Sequence, residues 1–201
     1  MPTRVELKQK AKDYMKSQEI NPVVVTVVLA LISLAVSLLS SILSFTVILP
    51  LVFSIIGIFL QVGYTAYCMK VARREQGTYT DLICYIKDWK FGLKLFALTF
   101  VTSLFTMLWS LLFVVPGVIK GYSYSQAVMI MIENPQMGIM EAIKESQKMM
   151  NGHKMEYFIL GLSFILWDLL VAVTCGLAGF YALPYYKVTM SEYYYTLKNL
   201  K

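Results

Sequence analysis

Between Glu19 and Lys70 no Asp, Glu, Lys or Arg interrupts the chain, a run far longer than the roughly 20 apolar residues that one helix needs to cross a bilayer. Two spans fit inside it, near 22–48 and 51–68. Pro50, in Leu49-Pro50-Leu51, marks the expected turn, because proline lacks a backbone donor and interrupts a helix. A second charge-free interval, Leu95 to Ile119, predicts a third span near 95–115, ended by the breaker pair Pro116-Gly117. The stretch 118–132 is about 22 Å long as a helix, short against a hydrocarbon core of about 30 Å, and supplies the fourth span. A fifth fits 157–175, broken at Gly176, and a sixth fits 177–195, with Pro184 and Lys187 in its middle.

Two further segments have the period of amphipathic helices. Residues 4–18 place Leu7, Ala11, Tyr14 and Met15 on one face and Lys8, Lys10, Lys12 and Lys16 largely elsewhere, which predicts an anchor lying at an anionic membrane interface. Residues 136–150 carry Ile139, Met140, Ile143 and Met150 on one side and Glu141, Lys144, Glu145 and Lys148 on the other. Asn134 is the expected N-cap there, Pro135 the first helical residue and Asn151-Gly152 the stop. This helix reads either as a surface lid or as a docking site for a cytoplasmic or membrane partner. The tyrosines 181, 185, 186, 193, 194 and 195 read as aromatic anchors at the interface. Ser33, Ser37, Ser40, Ser41 and Ser44 form a stripe suited to close helix packing.

Charge fixes orientation. Of the residues, 58% are apolar and 15% charged, which excludes an ordinary soluble enzyme, and the formal net charge is +6. Short cytoplasmic loops concentrate Lys and Arg. Six spans with both termini inside leave only Lys120 on the outer side, whereas five spans would export the Lys144 to Lys154 cluster. The basic N-terminus precedes an apolar run too long for a secretory signal, so it reads as retained. No basic and aromatic module accompanies the positive charges, and no nucleic-acid partner is expected.

Chemistry is sparse. The single histidine, His153, reads as a helix-end cation, and Cys68, Cys84 and Cys175 read as free packing thiols. No metal set, phosphate loop or nucleophile and base pair is present in the pattern, so no catalytic residue, metal or cofactor is expected. Asp168 is the residue that needs a partner, because it falls within the fifth span, where a carboxylate is costly. Lys120, at the start of the fourth span, is the expected counter-ion. Gln61 in the second span is a candidate for an interhelical hydrogen bond. Trp109 to Val115 before Pro116-Gly117 is echoed by Trp167 to Val173 before Gly176, which suggests two helical hairpins, 91–135 and 154–198.

The spaced residues Trp109, Pro116, Gly117, Asn134, Pro135, Ser146, Gly152, His153, Lys154, Trp167, Pro184 and Tyr185 resemble the pattern of the domain of unknown function 975 family, integral membrane proteins found mainly in Firmicutes. The sequence departs from it at Leu166, where glycine is expected, and at Glu133, where aspartate is usual. The resemblance implies a polytopic membrane protein and no particular reaction. The expectation is therefore an all-α bundle of six transmembrane helices with two interfacial helices, in the cell membrane of a bacterium, with both termini cytoplasmic. Its role is read as non-enzymatic, an accessory or interaction component of the envelope or of an export system, with a protein partner or a second copy of itself. The alternative is a small-solute or ion transporter whose route runs through Gln61, Lys120 and Asp168.

Overall fold

A computed structural model describes residues 3–42 and 48–200. Among them the chain forms eleven α-helices, a single 3-10 turn at Tyr79–Leu82 and no strand: α1 Arg4–Lys16, α2 Pro22–Ile42, α3 Ile48–Ala72, α4 Cys84–Lys87, α5 Trp89–Leu112, α6 Val114–Tyr124, α7 Ala127–Glu133, α8 Ile139–Met149, α9 Lys154–Leu162, α10 Ile165–Val173 and α11 Gly179–Asn199. Four stretches are long and apolar enough to cross a membrane: Pro22–Leu39, Ile55–Ala72, Trp89–Leu111 and Lys154–Val173. The last joins α9 and α10 across a turn at Ser163 and Phe164.

Proline and glycine act a few residues away from where the sequence suggests. Pro50 lies in the first turn of α3, inside the helix and not in a turn before it. Pro116 lies in the first turn of α6, and the reversal after α5 falls at Phe113, whose backbone is extended. Both placements are permitted because first-turn N–H groups have no helical acceptor to lose. Gly117 serves packing: a Cβ there would stand 2.7 Å from Ser110 Cα, so only glycine lets α6 close against α5. The expected fourth span is split, since Ser125 and Gln126 interrupt α6 and α7.

The amphipathic helices form, but their apolar faces meet protein. A capping box starts α1, with Glu6 N–H donating to Thr3 Oγ1 (3.3 Å) and Thr3 N–H to Glu6 Oε2 (3.1 Å). Leu7, Ala11, Tyr14 and Met15 are then buried against α3 and α11 instead of facing lipid. Gly138, not Asn134, precedes α8, and the Glu141 carboxylate accepts from its N–H (3.2 Å). Asn134 instead ends α7, its Nδ2 donating to Ile130 O (3.0 Å). Gly152 ends this region with φ +83°, a left-handed turn that suits glycine.

The core has two parts. One gathers α7, α8 and the end of α11 around Met131, Ile143, Met150, Leu160 and Tyr194. The other joins α1, α2, α3 and α11 around Ala11, Val25, Tyr67, Val188 and Tyr185. Much of α11 is enclosed, and Tyr185, Tyr193 and Tyr194 are buried among other helices. Their hydroxyls find partners inside, Tyr193 donating to His153 O (3.2 Å) and Tyr194 to Glu133 Oε2 (2.6 Å). Of the serine stripe, Ser33 and Ser37 are exposed; the side chains of Ser40 and Ser41, and Ser44 altogether, lie outside the described residues.

One end of the bundle is held by charge. The Glu133 carboxylate, only 5% exposed, bonds to Arg73 and to Lys198 Nζ (2.6 Å), tying the ends of α3, α7 and α11 together. Lys94, near the start of α5, donates to Pro135 O (2.6 Å). The link between α1 and α2 reaches the same end, where Gln18 donates to Glu75 O (3.0 Å) and accepts from Gly77 N–H (3.0 Å). His153, just before α9, is bound there through Tyr193.

Candidate functional site

Two cavities lie among the helices and share Tyr186 in their walls. The first, of about 310 Å³, is bounded by α3, α5, α7, α9 and α11. Its polar lining is Gln61, Thr65, Thr99, Ser125, Tyr157, Tyr186, Lys187 and Ser191. Most of the hydroxyls already donate to backbone carbonyls: Thr65 to Gln61 O (3.0 Å), Thr99 to Leu95 O (3.0 Å), Ser125 to Tyr122 O (2.8 Å) and Ser191 to Lys187 O (3.0 Å). Their remaining lone pairs are acceptors, while Lys187 is a donor with no hydrogen bond or ion pair from its ammonium among the described residues. Beside this wall the fully buried Gln126 gives one amide N–H to Ser125 Oγ (3.0 Å) and keeps Oε1 without a partner.

Lys187 falls in the middle of the expected sixth span, although the charge reading counted it with the inner residues. It stands eight residues into α11, about 12 Å along the helix and about 16 Å before Lys198. Gln61 faces this cavity and makes no interhelical hydrogen bond among the described residues, so its expected bridging role gives way to a lining one.

The second cavity, of about 680 Å³, lies between α2, the α9 and α10 pair, and α11. Asp168 lines it with Phe164, Trp167, Phe180 and Tyr186. The expected pair of Lys120 with Asp168 does not form. Lys120 sits on α6 with its ammonium 5.0 Å from the Trp109 ring centroid on α5, whereas α10 packs on α11. No hydrogen bond or ion pair joins the two side chains among the described residues.

The docking residues are divided. Ile143 and Met150 are buried in the core and Ile139 is half-buried against it, which leaves Met140 as the exposed apolar side chain of that set. The buried face of α8 mends the α6–α7 interruption: Ser146 Oγ accepts from Gln126 N–H (3.2 Å) and donates to Ser123 O (2.8 Å). His153 Nδ1 pairs with Glu156 Oε2 (3.1 Å) at the start of α9, and not with carbonyls at a helix end. Cys68 is buried, Cys84 half-buried and Cys175 exposed, all three free. Among the described residues no cluster of His, Cys, Asp or Glu could hold a metal ion.

These helices define an all-helical protein with at least four segments suited to a bilayer. A family model described as "Protein of unknown function (DUF975)" matches residues 1–121 and 113–201, and the chain belongs to that family. No curated protein and no solved structure matches it. The residues of the family pattern now have physical roles: Trp109 under Lys120, Gly117 against Ser110, Pro135 O accepting from Lys94, Ser146 across the helix interruption, and Trp167 in the Asp168 cavity. Pro184 lies inside α11 beside Tyr185, whose buried ring packs on Phe164 at 5.2 Å between centroids.

Proposed function

We propose a non-enzymatic protein of six spans in the bacterial cell membrane, with both termini cytoplasmic, that binds and passes a small polar solute or ion through the cavity between Gln61 and Lys187. The charged end of the bundle supports the topology. There α2 starts, α3 ends, α5 starts, α7 ends, α9 starts and α11 ends, an alternation that fits six crossings. The α6–α7 pair and α11 add the two spans beyond the four evident from length and hydropathy, each about 30 Å at roughly 1.5 Å per residue. Arg73, Lys94 and Lys198 gather at this end, as cytoplasmic ends do under the positive-inside bias.

The observation that carries the solute reading is the unpaired Lys187 ammonium in a hydroxyl-lined intramembrane cavity, since charge kept inside a bundle marks a solute or proton path more often than a packing element. The ammonium with surrounding acceptors suits a small anion or a polar solute bearing donors. Reconstituted vesicles test it: efflux of chloride, acetate and glycerol is compared for wild type, Lys187→Met and Gln61→Leu, each shown to be folded. A protein-dependent flux of any of these that falls at least tenfold in both variants supports passage through this cavity. Flux equal to that of protein-free vesicles, or unchanged in the variants, overturns it. The accessory role keeps one supporting feature, the exposed Met140 on α8. A stoichiometric partner recovered in mild detergent and lost in Met140→Glu, with no flux, would favour that role.

A further inference from the structure

We propose that the Asp168 cavity is a second ligand site, separate from the Lys187 cavity, that takes an amphipathic monocation: an ammonium or phosphonium centre on an apolar body. The carboxylate has no side-chain hydrogen bond and no ion pair among the described residues. Lys187, beside the shared wall residue Tyr186, lines the other cavity and forms no ion pair with Asp168, and three further lysines are engaged elsewhere. Lys8 donates to Ser163 O (2.7 Å) and lies 4.1 Å from the Phe164 ring centroid, Lys12 lies over Tyr185 at 5.5 Å, and Lys120 is at Trp109. Asp168 is exposed at the mouth of the cavity, and within a membrane span a lone carboxylate is costly, a cost that a bound cation removes.

The walls select the shape of the cation. Phe164, Trp167, Phe180 and Tyr186 surround the space beside Asp168, and aromatic faces attract poorly hydrated cations, which a small metal ion is not. The volume of about 680 Å³ lies in the usual range for organic ligands, and it exists because small residues line it: a Cβ added at Gly161 meets nothing within 4 Å. The polar wall residue Thr26 has its needs met by Pro22 O (2.9 Å) and Tyr64 Oη (2.8 Å), which leaves the Asp168 carboxylate, with the Tyr186 hydroxyl, for a ligand to answer. On the far side of α10, Leu166, Leu169 and Val173 are exposed and apolar, so an amphipath dissolved in the bilayer reaches this helix directly.

Tetraphenylphosphonium and its anionic counterpart of the same shape, tetraphenylborate, test the proposal. The full chain in maltoside micelles, with Trp89→Phe and Trp109→Phe, reports through Trp167 fluorescence. The expected result is saturable quenching by tetraphenylphosphonium, weakened at least tenfold in Asp168→Asn, with tetraphenylborate binding at least tenfold more weakly than the cation. Gly161→Phe, which fills the cavity and leaves Asp168 in place, should abolish binding while helicity and monodisperse elution persist. Displacement by dodecylphosphocholine assigns the site to a lipid headgroup, and displacement by dodecyltrimethylammonium alone assigns it to a free amphipathic cation. Equal affinity for the two tetraphenyl ions, unchanged binding in Asp168→Asn, or unchanged binding in Gly161→Phe overturns the proposal.

Discussion

Replacing Glu133 by Gln should loosen the charged end of the bundle, and the size of the effect follows from who loses what. The carboxylate is 5% exposed and holds Arg73, Lys198 and the Tyr194 hydroxyl, while the two cations are 40% and 50% exposed. Hydrogen bonds to charged groups contribute about 1.5–3 kcal/mol each when desolvated, and exposed ion pairs about 0.2–1 kcal/mol. Arg73 and Lys198 can recover water once the carboxylate is gone, and the glutamine carbonyl can still accept from Tyr194. The expected loss is therefore about 1–3 kcal/mol, below the 3–5 kcal/mol typical when a fully buried partner is stranded. Burial works to raise the Glu133 pKa, but the bonds from Lys198 and Tyr194 and the charges of Lys198 and Arg73 outweigh it and hold the group below the usual carboxylate range. A depressed carboxylate contributes stability above its unfolded pKa of about 4.3, and that contribution disappears as pH falls through the folded value. Unfolding in mixed micelles, followed by ellipticity, should show the wild type ahead of Glu133→Gln at pH 7 and the gap closing below about pH 4. A gap under 0.5 kcal/mol at pH 7, or one that does not change with pH, would refute this reasoning.

Three other substitutions probe separate contacts by the same unfolding measurement. Ser146→Ala strands the N–H of Gln126 and the carbonyl of Ser123 at the α6–α7 interruption and should cost about 1–3 kcal/mol, whereas Ser146→Thr should cost less if its hydroxyl keeps the bridge. Gly117→Ala forces a Cβ against the backbone of Ser110 and should cost about 1–3 kcal/mol, with little relief from Ser110→Ala because the Cα remains. Lys120→Met should cost about 0.5–1 kcal/mol through the lost contact with the Trp109 ring, and its effect should add to that of Asp168→Asn within about 0.5 kcal/mol. A coupling well above that would restore the pair that the sequence suggested.

The segments most legible in the sequence were those whose signal is local. Long apolar runs, charge-free for α2, α3 and α5 and carrying only Asp168 in the α9–α10 pair, located these spans to within about six residues, since hydropathy and length decide a span. Breakers were read at the wrong offset because Pro50 and Pro116 are tolerated in a first turn, a position the pattern does not distinguish from a loop. Amphipathic period identified α1 and α8 but says nothing of what covers the apolar face; Leu7 and Ile143 turned out to face other helices. Three of the six tyrosines, Tyr185, Tyr193 and Tyr194, are buried among helices, because a ring with a polar tip fits an interface or an enclosed helix equally well until neighbours are known. Of the candidate polar groups, Asp168 and Gln61 were found from their depth, but their partners depend on which helices adjoin. Lys187 was read in the middle of the sixth span, but its place in a cavity wall depends on α3, α5 and α9, which the local pattern does not bring together.

Water access to residue 187 tests the intramembrane cavity without knowledge of its solute. In a background with Cys84→Ser and Cys175→Ser, retaining the buried Cys68, Lys187→Cys and Val188→Cys are treated in native membranes with the impermeant anion 2-sulfonatoethyl methanethiosulfonate. Val188 is fully buried against the neighbouring helices. A hydrated polar cavity predicts modification of Lys187→Cys, protection of Val188→Cys and no reaction of the background. An unreactive Lys187→Cys, or equal reaction at 187 and 188, would contradict a solute path through this bundle.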